Sequence, residues 1–505
     1  MQRKLDKIMA ICEKRGFFFP SAEIYGGKAG FWTYGHLGTL LKRKFENEWR
    51  NFFLNLDENF YEIEDCNLLP EQVFVSSGHL EHFRDPLTEC KKCHFRFRAD
   101  ELIEDELNIN VEGIKAEAMD KIIRDNNLKC PKCGSRELTK VRWFNMMFEL
   151  KVGAVGEETM YLRPETAQSA YLSFKREFYA LREKLPIGLA IIGKAYRNEI
   201  SPRQVFFRLR EFTQAELQIF FDPKKINEVE NWNKVRRYKL RMFLAKNRKS
   251  KKVVEMSCED VVKKLNLPKM YVYYLAMVQR FYLNILKIPK EKFRLKELTE
   301  KERAFYNKIH YDVELFLETL EGFKEVAGIH YRTDYDLRNH QEGSKESMEV
   351  INEKKEKFIP HVLELSFGVD RNVFSIIDIF FKEEKERNLF VFPRKLAPIE
   401  VAIFPLVRKD KLPQKARKVF SLLKDSGFIV FYDEKGSIGR MYRRMDEIGC
   451  PAMITIDYDS LKNDDCTLRD RDTMKQIRVK IDELPQTILK FLNGEKLTKL
   501  GKIFK

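Results

Sequence analysis

No stretch of eighteen or more apolar residues occurs in the 505-residue chain, so the sequence offers no membrane-spanning helix. The first twenty residues, MQRKLDKIMAICEKRGFFFP, break their apolar positions with charge and lack the apolar centre of a secretory signal. Both absences point to the cytoplasm and away from a membrane. In that compartment the nine cysteines do not amount to a disulfide framework. No internal repeat and no long low-complexity tract is present. With 44% apolar and 34% charged residues, the chain is globular rather than disordered. Its length suffices for two or three domains with substantial cores.

Acidic charge is in the minority, 77 Asp+Glu against 93 Lys+Arg, for a formal net charge of +16. A polyanionic partner accounts for such an excess, and so does a lysine-rich solvated surface.

Four of the cysteines form two close pairs, Cys90-x2-Cys93 and Cys130-x2-Cys133. Two such pairs supply four thiolates for a tetrahedral zinc ion, and CPKCG has the shape of a zinc knuckle. With no open coordination position, a zinc ion there would be structural. His94 could replace one ligand, and unrelated thiols are the plainer reading. Cys12, Cys66, Cys258, Cys450 and Cys466 are unpaired and read as buried or incidental.

Three features suggest boundaries. Residues 84–145, with the cysteine pairs and the charged run ADELIEDELNINVEG, look inserted. Residues 223–300 read as a helical insertion carrying the basic cluster KNRKSKK. The prolines of NLFVFPRKLAP mark a linker between residues 1–392 and 397–505. Beyond it, IEVAIFPL, FIVFYD and PAMITID read as strands alternating with two helices, a small α/β domain.

The stretch GKAYRNEISPRQVFFRLREFTQAELQIFF is unusually rich in both charge and aromatic residues. Residues 188–200 and 207–221 read as two strands joined by the loop ISPRQVF. Successive side chains on a strand face opposite ways. Arg208, Arg210, Phe212, Gln214, Glu216 and Gln218 then share one face, with Leu209, Thr213, Ala215, Leu217 and Ile219 on the other. On the first strand, Arg197 and Glu199 lie together. Arginine forks match phosphate oxygens, and a flat phenylalanine suits a purine ring. An antiparallel sheet with surface ion pairs would show the same alternation.

Arg-x-Glu, a loop, and Phe-Arg-x-Arg-Glu-Phe together resemble motif 2 of the class II aminoacyl-tRNA synthetases. The wording RNEISPRQ…FRLREFTQAE is similar to glycyl-tRNA synthetases of the homodimeric type. SAEIYGG and YGHLG resemble that family's first motif region, with His36 in place of a usual proline. SSGHLEHFRDPLTECKKC, YLRPETAQSAYLSF and EVAGIHYRTDYDLRNHQE resemble it too, as does LELSFGVDR, where Leu365 replaces proline. YDEKGSIGRMYRRMDEIGCP and TLRDRDTMKQIRV resemble its anticodon-binding domain. The resemblance implies an α+β chain: a class II catalytic domain, an antiparallel sheet flanked by helices, followed by a small α/β anticodon-binding domain.

The resemblance also implies partners and roles. ATP with Mg2+, glycine and its tRNA are the expected partners, and the chain is expected to be a homodimer joined through the first motif region. Arg197, Glu199 and Arg371 are the expected catalytic residues. Nucleotide contacts fall on Arg197, Asn198, Glu199, Phe207, Arg208, Leu209, Arg210, Glu211, Phe212, Glu325, Val326, Gly368, Val369, Asp370 and Arg371. Glu325 is also a candidate magnesium ligand. Glycine contacts fall on Arg98, Glu165, Phe212, Gln214, Glu216, Arg332, Glu364 and Ser366. RNA contact is expected of the C-terminal domain as a whole; Arg440, Arg443, Arg444, Arg469 and Arg471 are its candidate contacts, with solvated surface charge the alternative for each. The alternative is a catalytically inactive, nucleic-acid-binding relative of synthetases, which would be expected to lack the ATP ligands named above.

Overall fold

The structure is a computed structural model that describes residues 2–109, 111, 113–202, 205–304 and 306–504. In chain order its main sheet uses β1 (Phe60–Glu62), β2 (Ile187–Tyr196), β3 (Glu211–Phe221), β4 (Lys239–Phe243) and β5 (Val254–Ser257). It continues with β6 (Phe293–Glu297), β7 (Ile309–Leu317), β8 (Gly322–Thr333) and β9 (His361–Gly368). Their spatial order is β5-β4-β6-β7-β8-β9-β3-β2-β1. Neighbours are antiparallel except β1 with β2 and β4 with β6. The associated helices are α1 (Gln2–Arg15), α2 (His36–Phe53), α3 (Ala167–Ala180), α4 (Tyr335–Ser344) and α5 (Val369–Phe380). No helix among the described residues is long and apolar enough to cross a membrane.

Two-residue alternation divides this sheet into a greasy face and a polar one. Ala215, Leu217 and Ile219 of β3, with Leu363, Leu365 and Phe367 of β9, join a core with Leu41, Phe45, Trp49 and Phe53 of α2. Val373, Phe374 and Ile377 of α5 belong to the same core. Leu365, which stands where the similar family has proline, is fully buried between Leu217 and Ile329 of the flanking strands. His36 opens α2, and its ring closes over Gly16, where a Cβ would stand 2.8 Å from it.

Three expectations from sequence need correction. First, the two strands are shorter than 188–200 and 207–221. β2 ends at Tyr196 and β3 begins at Glu211, so Arg197, Glu199, Arg208 and Arg210 lie in the connection. Phe206 and Phe207 are the cause. They form a 3-10 turn whose rings pack on Phe374 and, for Phe206, on Phe18, which draws the chain out of the extended form. Arg203 and Gln204 of this loop lie outside the described residues.

Second, residues 223–300 are not a purely helical insertion. The alternating KLRMF, VEMS and FRLKE supply β4, β5 and β6, which extend the main sheet beyond β7. Only Cys258–Leu265 and Lys269–Arg280 are α-helical there, followed by a π-turn, and Arg248 of the basic cluster is paired with Glu302. Within residues 84–145, strands Arg84–Glu89, Arg96–Arg98 and Arg142–Asn145 pair into a separate small sheet beside helices Ala99–Leu107 and Ala116–Asp125. They enclose their own apolar cluster, including Phe97, Leu102, Ile103, Met119 and Val141.

Third, the C-terminal part is mixed rather than simply alternating. Its sheet contains β10 (Val401–Pro405), β11 (Val430–Tyr432), β12 (Ala452–Ile456), β13 (Asp465–Asp470) and β14 (Gln476–Lys480) in the order β11-β10-β12-β13-β14. The first three are parallel and the last two add antiparallel. α6 (Leu412–Asp425) packs with β10 and β12 in a second core. α7 (Ile438–Ile448) instead turns Met441, Met445 and Ile448 into the core of the larger part. There they join Phe390 and Phe392, so the two parts share apolar packing.

Candidate active site

The polar face of the main sheet is organised by register. Glu216 of β3 stands beside Ser366 of β9, which stands beside Gly328 of β8 and then Asp312 of β7. The next row is Gln218, Glu364, His330 and His310. Glu216, Ser366, Gly328, Glu364 and His330 of these rows floor a cavity also lined by Glu165, Arg197, Glu199, Phe207, Arg208, Leu209, Phe212, Gln214, Glu325, Arg332, Gly368, Asp370 and Arg371.

One end of the cavity is acidic and buried. Glu216 is fixed by two hydroxyls, Ser366 donating to Oε1 at 2.6 Å and Thr166 to Oε2 at 2.7 Å. Burial, then the nearby Glu364 and Glu165 carboxylates, push Glu216 up to about 7 despite those hydroxyls. Burial opposes ionisation of Glu364 as well, yet Arg332 and His330 outweigh it and hold this carboxyl down at about 2. Glu165 is likewise held well below the usual range against its burial, by His79 and Arg332. Arg332 is 1% exposed and stacked on Tyr306, its guanidinium 4.0 Å from the ring centre. It donates to both oxygens of Asp336, at 2.8 and 2.9 Å, and to Glu364 at 2.9 Å. Gln214 Oε1 is buried with no partner among the described residues. Such an end is short of positive charge and of donors, and a small ammonium would supply both.

The other end is basic and aromatic. Arg197 donates to the Pro164 carbonyl at 3.1 Å and lies between the rings of Phe83 and Phe212, 5.2 and 5.3 Å from their centres. Arg208 pairs with Glu101 of the inserted unit. Arg371, in the first turn of α5, pairs with Glu325 at 3.2 Å beside Phe207. Gly368 caps this helix, whose N-terminus is itself favourable to anions. Asp370 faces away. Its carboxylate accepts from Tyr34 at 2.7 Å and from the Thr213 amide at 2.5 Å, tying the first motif region to β3.

Six expected contact residues do not line the cavity. Arg98 is held by Asp85 at 3.1 Å and Asp100 at 2.5 Å within its own segment. Arg210 spends its guanidinium on the carbonyls of Glu199 and Ala29. Glu211 begins the opposite parity of β3 and pairs with Lys194 at 3.0 Å. Val326 and Val369 are buried in the core beneath, and Asn198 is tied by its amide to Met146. Thr166, Tyr306, His330 and Asp336 belong to the site and were not picked out from sequence. Thr166, His330 and Asp336 stand inside the quoted motif segments. Tyr306 sits in an ordinary charged stretch with no signal of its own.

The four thiols of Cys90, Cys93, Cys130 and Cys133 lie within 4.8 Å of one another. The Cys90–Cys133 and Cys93–Cys130 sulfurs are 3.6 and 3.7 Å apart. Zn–S bonds of about 2.3 Å in a tetrahedron require sulfur edges of roughly 3.8 Å, so the four fit that ion. His94 turns to Glu89 at 3.2 Å instead, so the candidate ligand set is the four cysteines.

In the C-terminal part, Arg469 and Arg471 are corrected from candidate RNA contacts to internal supports. Arg469 is buried against Asp446, and Arg471 donates to the carbonyls of Gly449 and Phe392 at 2.8 and 2.9 Å. Arg440, Arg443 and Arg444 line a surface groove with Lys14 and Arg15.

Residues 148–380 match the tRNA synthetase class II core domain (G, H, P, S and T), and residues 400–491 match the anticodon binding domain. The fold resembles prolyl-tRNA synthetase from Cryptosporidium parvum, solved with L-proline and AMP, at TM-score 0.57 and 13% identity. That likeness covers 96% of this chain and 74% of the other. Fold, motifs and cavity define a class II aminoacyl-tRNA synthetase. Glycine–tRNA ligase of Pyrococcus furiosus is 40% identical, covering 97% of this chain and 99% of the relative. The enzyme of Pyrococcus horikoshii is also 40% identical, covering 98% and 100%. The chain belongs to the glycine–tRNA ligase family.

Proposed function

We infer that this chain joins glycine to its tRNA in two steps within the one cavity. The glycine carboxylate attacks the α-phosphorus of ATP, forming glycyl-adenylate as pyrophosphate departs. A terminal ribose hydroxyl of tRNA then takes the glycyl group and AMP leaves. The observation that carries this reading is the polarity of the cavity, acidic at Glu165, Glu216 and Glu364 and basic at Arg197, Arg208 and Arg371. A zwitterion and a triphosphate meet at the join between those ends.

In this reading Arg197 stabilises charge on the α-phosphate, held in place by two aromatic rings. Its guanidinium covers one side of Phe212 and leaves the other for adenine, whose amino group Glu199 accepts from. Arg208 and Arg371 hold the β- and γ-phosphates. Class II synthetases use Mg2+ with ATP to offset phosphate charge, and Glu325, beside Arg371, is the carboxylate that could hold it. Glu216, Glu364, Gln214 and Glu165 take the ammonium. Steric closure of that end rejects larger amino acids, which is the easier direction of discrimination.

We further propose a structural zinc in the four-cysteine cluster and a homodimer through the first motif region, where Ile24 and Tyr25 are 89% and 84% exposed. Four close thiols suit a reducing compartment, and the cytoplasm is the proposed location.

Pyrophosphate–ATP exchange measured with each of the twenty amino acids tests the reading. Exchange with glycine alone is expected. Absence of exchange from a folded protein would favour the inactive, nucleic-acid-binding alternative.

A further inference from the structure

Behind the proposed ammonium site lies a chain of polar contacts that no step above employs. His330 Nδ1 is 3.0 Å from Glu364 Oε2, the same oxygen that accepts from Arg332. His330 Nε2 is 3.0 Å from His310 Nε2, and that nitrogen is 3.0 Å from Asp312 Oδ1. Both histidines are mostly buried, each with a side-chain exposure of 14%. The rings meet edge to face with centres 4.2 Å apart. Gly328 makes room for the arrangement, since a Cβ there would stand 2.4 Å from His330 Nε2 and 3.4 Å from His310 Nε2.

The partners fix where the protons sit. His310 Nδ1 is buried without a partner, which is tolerable for a lone pair and costly for an N–H. The His310 proton therefore belongs on Nε2, between Asp312 and His330. His330 Nε2 then accepts, leaving its proton on Nδ1 against Glu364. A lone pair 3.0 Å from a carboxylate oxygen would repel it, which argues for the same tautomer. That contact is bent away from hydrogen-bond alignment, so it orients by charge and proximity rather than as a well-directed bond. Burial keeps His310 below its ordinary range, in accord with a neutral ring; it lowers His330 too, but the adjoining Glu364 carboxylate outweighs it and raises that ring, in accord with a proton held on Nδ1 toward Glu364.

We propose that His330, its tautomer set by His310 and Asp312, is a positioning residue of the amino-acid pocket that holds Glu364 for the substrate amino group. With Arg332 it occupies Oε2. Oε1, which takes part in no hydrogen bond among the described residues, is then left as the acceptor for the ammonium. The inference rests on the reading of Glu364 as an ammonium ligand.

The test is glycine-dependent pyrophosphate exchange, with KM for glycine and for ATP measured separately alongside the thermal midpoint. His330→Ala is expected to raise KM for glycine about tenfold with little change in kcat or in KM for ATP, the mark of lost ground-state binding. His330→Asn, which keeps a donor near Nδ1, is expected to recover most of that loss. His310→Leu is expected to behave like His330→Ala. Glu364→Gln separates the two levels of argument. If it leaves KM for glycine unchanged, the reading of the pocket fails. If Glu364→Gln raises that KM while His330→Ala does not, the positioning role alone is overturned. Equal losses for glycine and ATP without rescue by asparagine would also overturn it.

Discussion

Arg332 and Asp336 form a two-pronged ion pair across the start of α4, at 2.8 and 2.9 Å, with both side chains 1% exposed. Among the described residues, the pair anchors the one guanidinium that stands with the acidic groups lining that end of the cavity. Replacing it with an apolar chain would leave Asp336 and Glu364 as buried carboxylates without the guanidinium that donates to them, and would strip Glu165 of one of its two positive neighbours. Arg332→Met should destabilise the fold by about 3–5 kcal/mol, as breaking buried pairs from one side does. Urea unfolding measures this, and a loss under about 1 kcal/mol would mean the carboxylates find other partners or take protons.

Arg197 has a different signature. Its side chain hangs from one carbonyl and two rings, with no buried carboxylate depending on it. Arg197→Ala should lower glycine-dependent exchange by about 10²–10³-fold, the usual cost of one preorganised charge donor. Retention of tRNA on filters should stay near that of the unaltered protein. Parallel loss of both activities would make the arginine structural.

Glu216 predicts a pH effect of definite sign. Its folded value of about 7 lies above that of an unfolded glutamate, so folding favours its protonated form. That contribution is present at low pH and lost as pH rises through about 7. A bound ammonium beside the ionised carboxylate reverses the loss. Glycine with a non-hydrolysable ATP analogue should therefore raise the melting midpoint more at pH 8 than at pH 6. Glu216→Gln should flatten the difference. Glu165 and Glu364, whose carboxyls are held low, stay ionised throughout that interval and do not contribute.

Zinc content gives a clean test of the cysteine cluster. About one zinc per chain is expected, falling to near zero in Cys130→Ser, because a four-ligand site has no spare donor. The unit of residues 84–145 should then become protease-sensitive before the rest. Unchanged metal content would show that these thiols do not hold the ion.

Two arginines of the C-terminal domain should separate stability from RNA affinity. Arg471→Met, which strands the carbonyls of Phe392 and Gly449, should lower the unfolding midpoint by several degrees. Arg440→Ala should leave that midpoint unchanged but weaken tRNA binding and reduce its salt slope by about one ion. The opposite pattern, stability lost with Arg440 and affinity with Arg471, would reverse the assignment.

Much of this was legible in one dimension because strand parity is rigid. Phe212, Gln214 and Glu216 share a cavity because β3 is extended, and the same parity sent Glu211 to the other side, against expectation. Arg210 was misread for a different reason. The run before β3 alternates like a strand, but burial of Phe206 and Phe207 folds it into a turn, so parity no longer applies. Arg98 matched a motif, yet its fate was settled by Asp85 and Asp100, whose proximity depends on the local turn. Tyr306 was invisible because its partner, Arg332, is distant in sequence. In 223–300 two true helices masked the short alternating strands, whose pairing across the sheet is non-local.

Met441, Met445 and Met453 sit in one apolar cluster with Phe17, Phe390 and Phe392. The domain that matches an anticodon reader thus packs its own side chains into the core of the catalytic part. A cavity-forming change at Met445 would loosen that shared packing while leaving every side chain that lines the cavity in place.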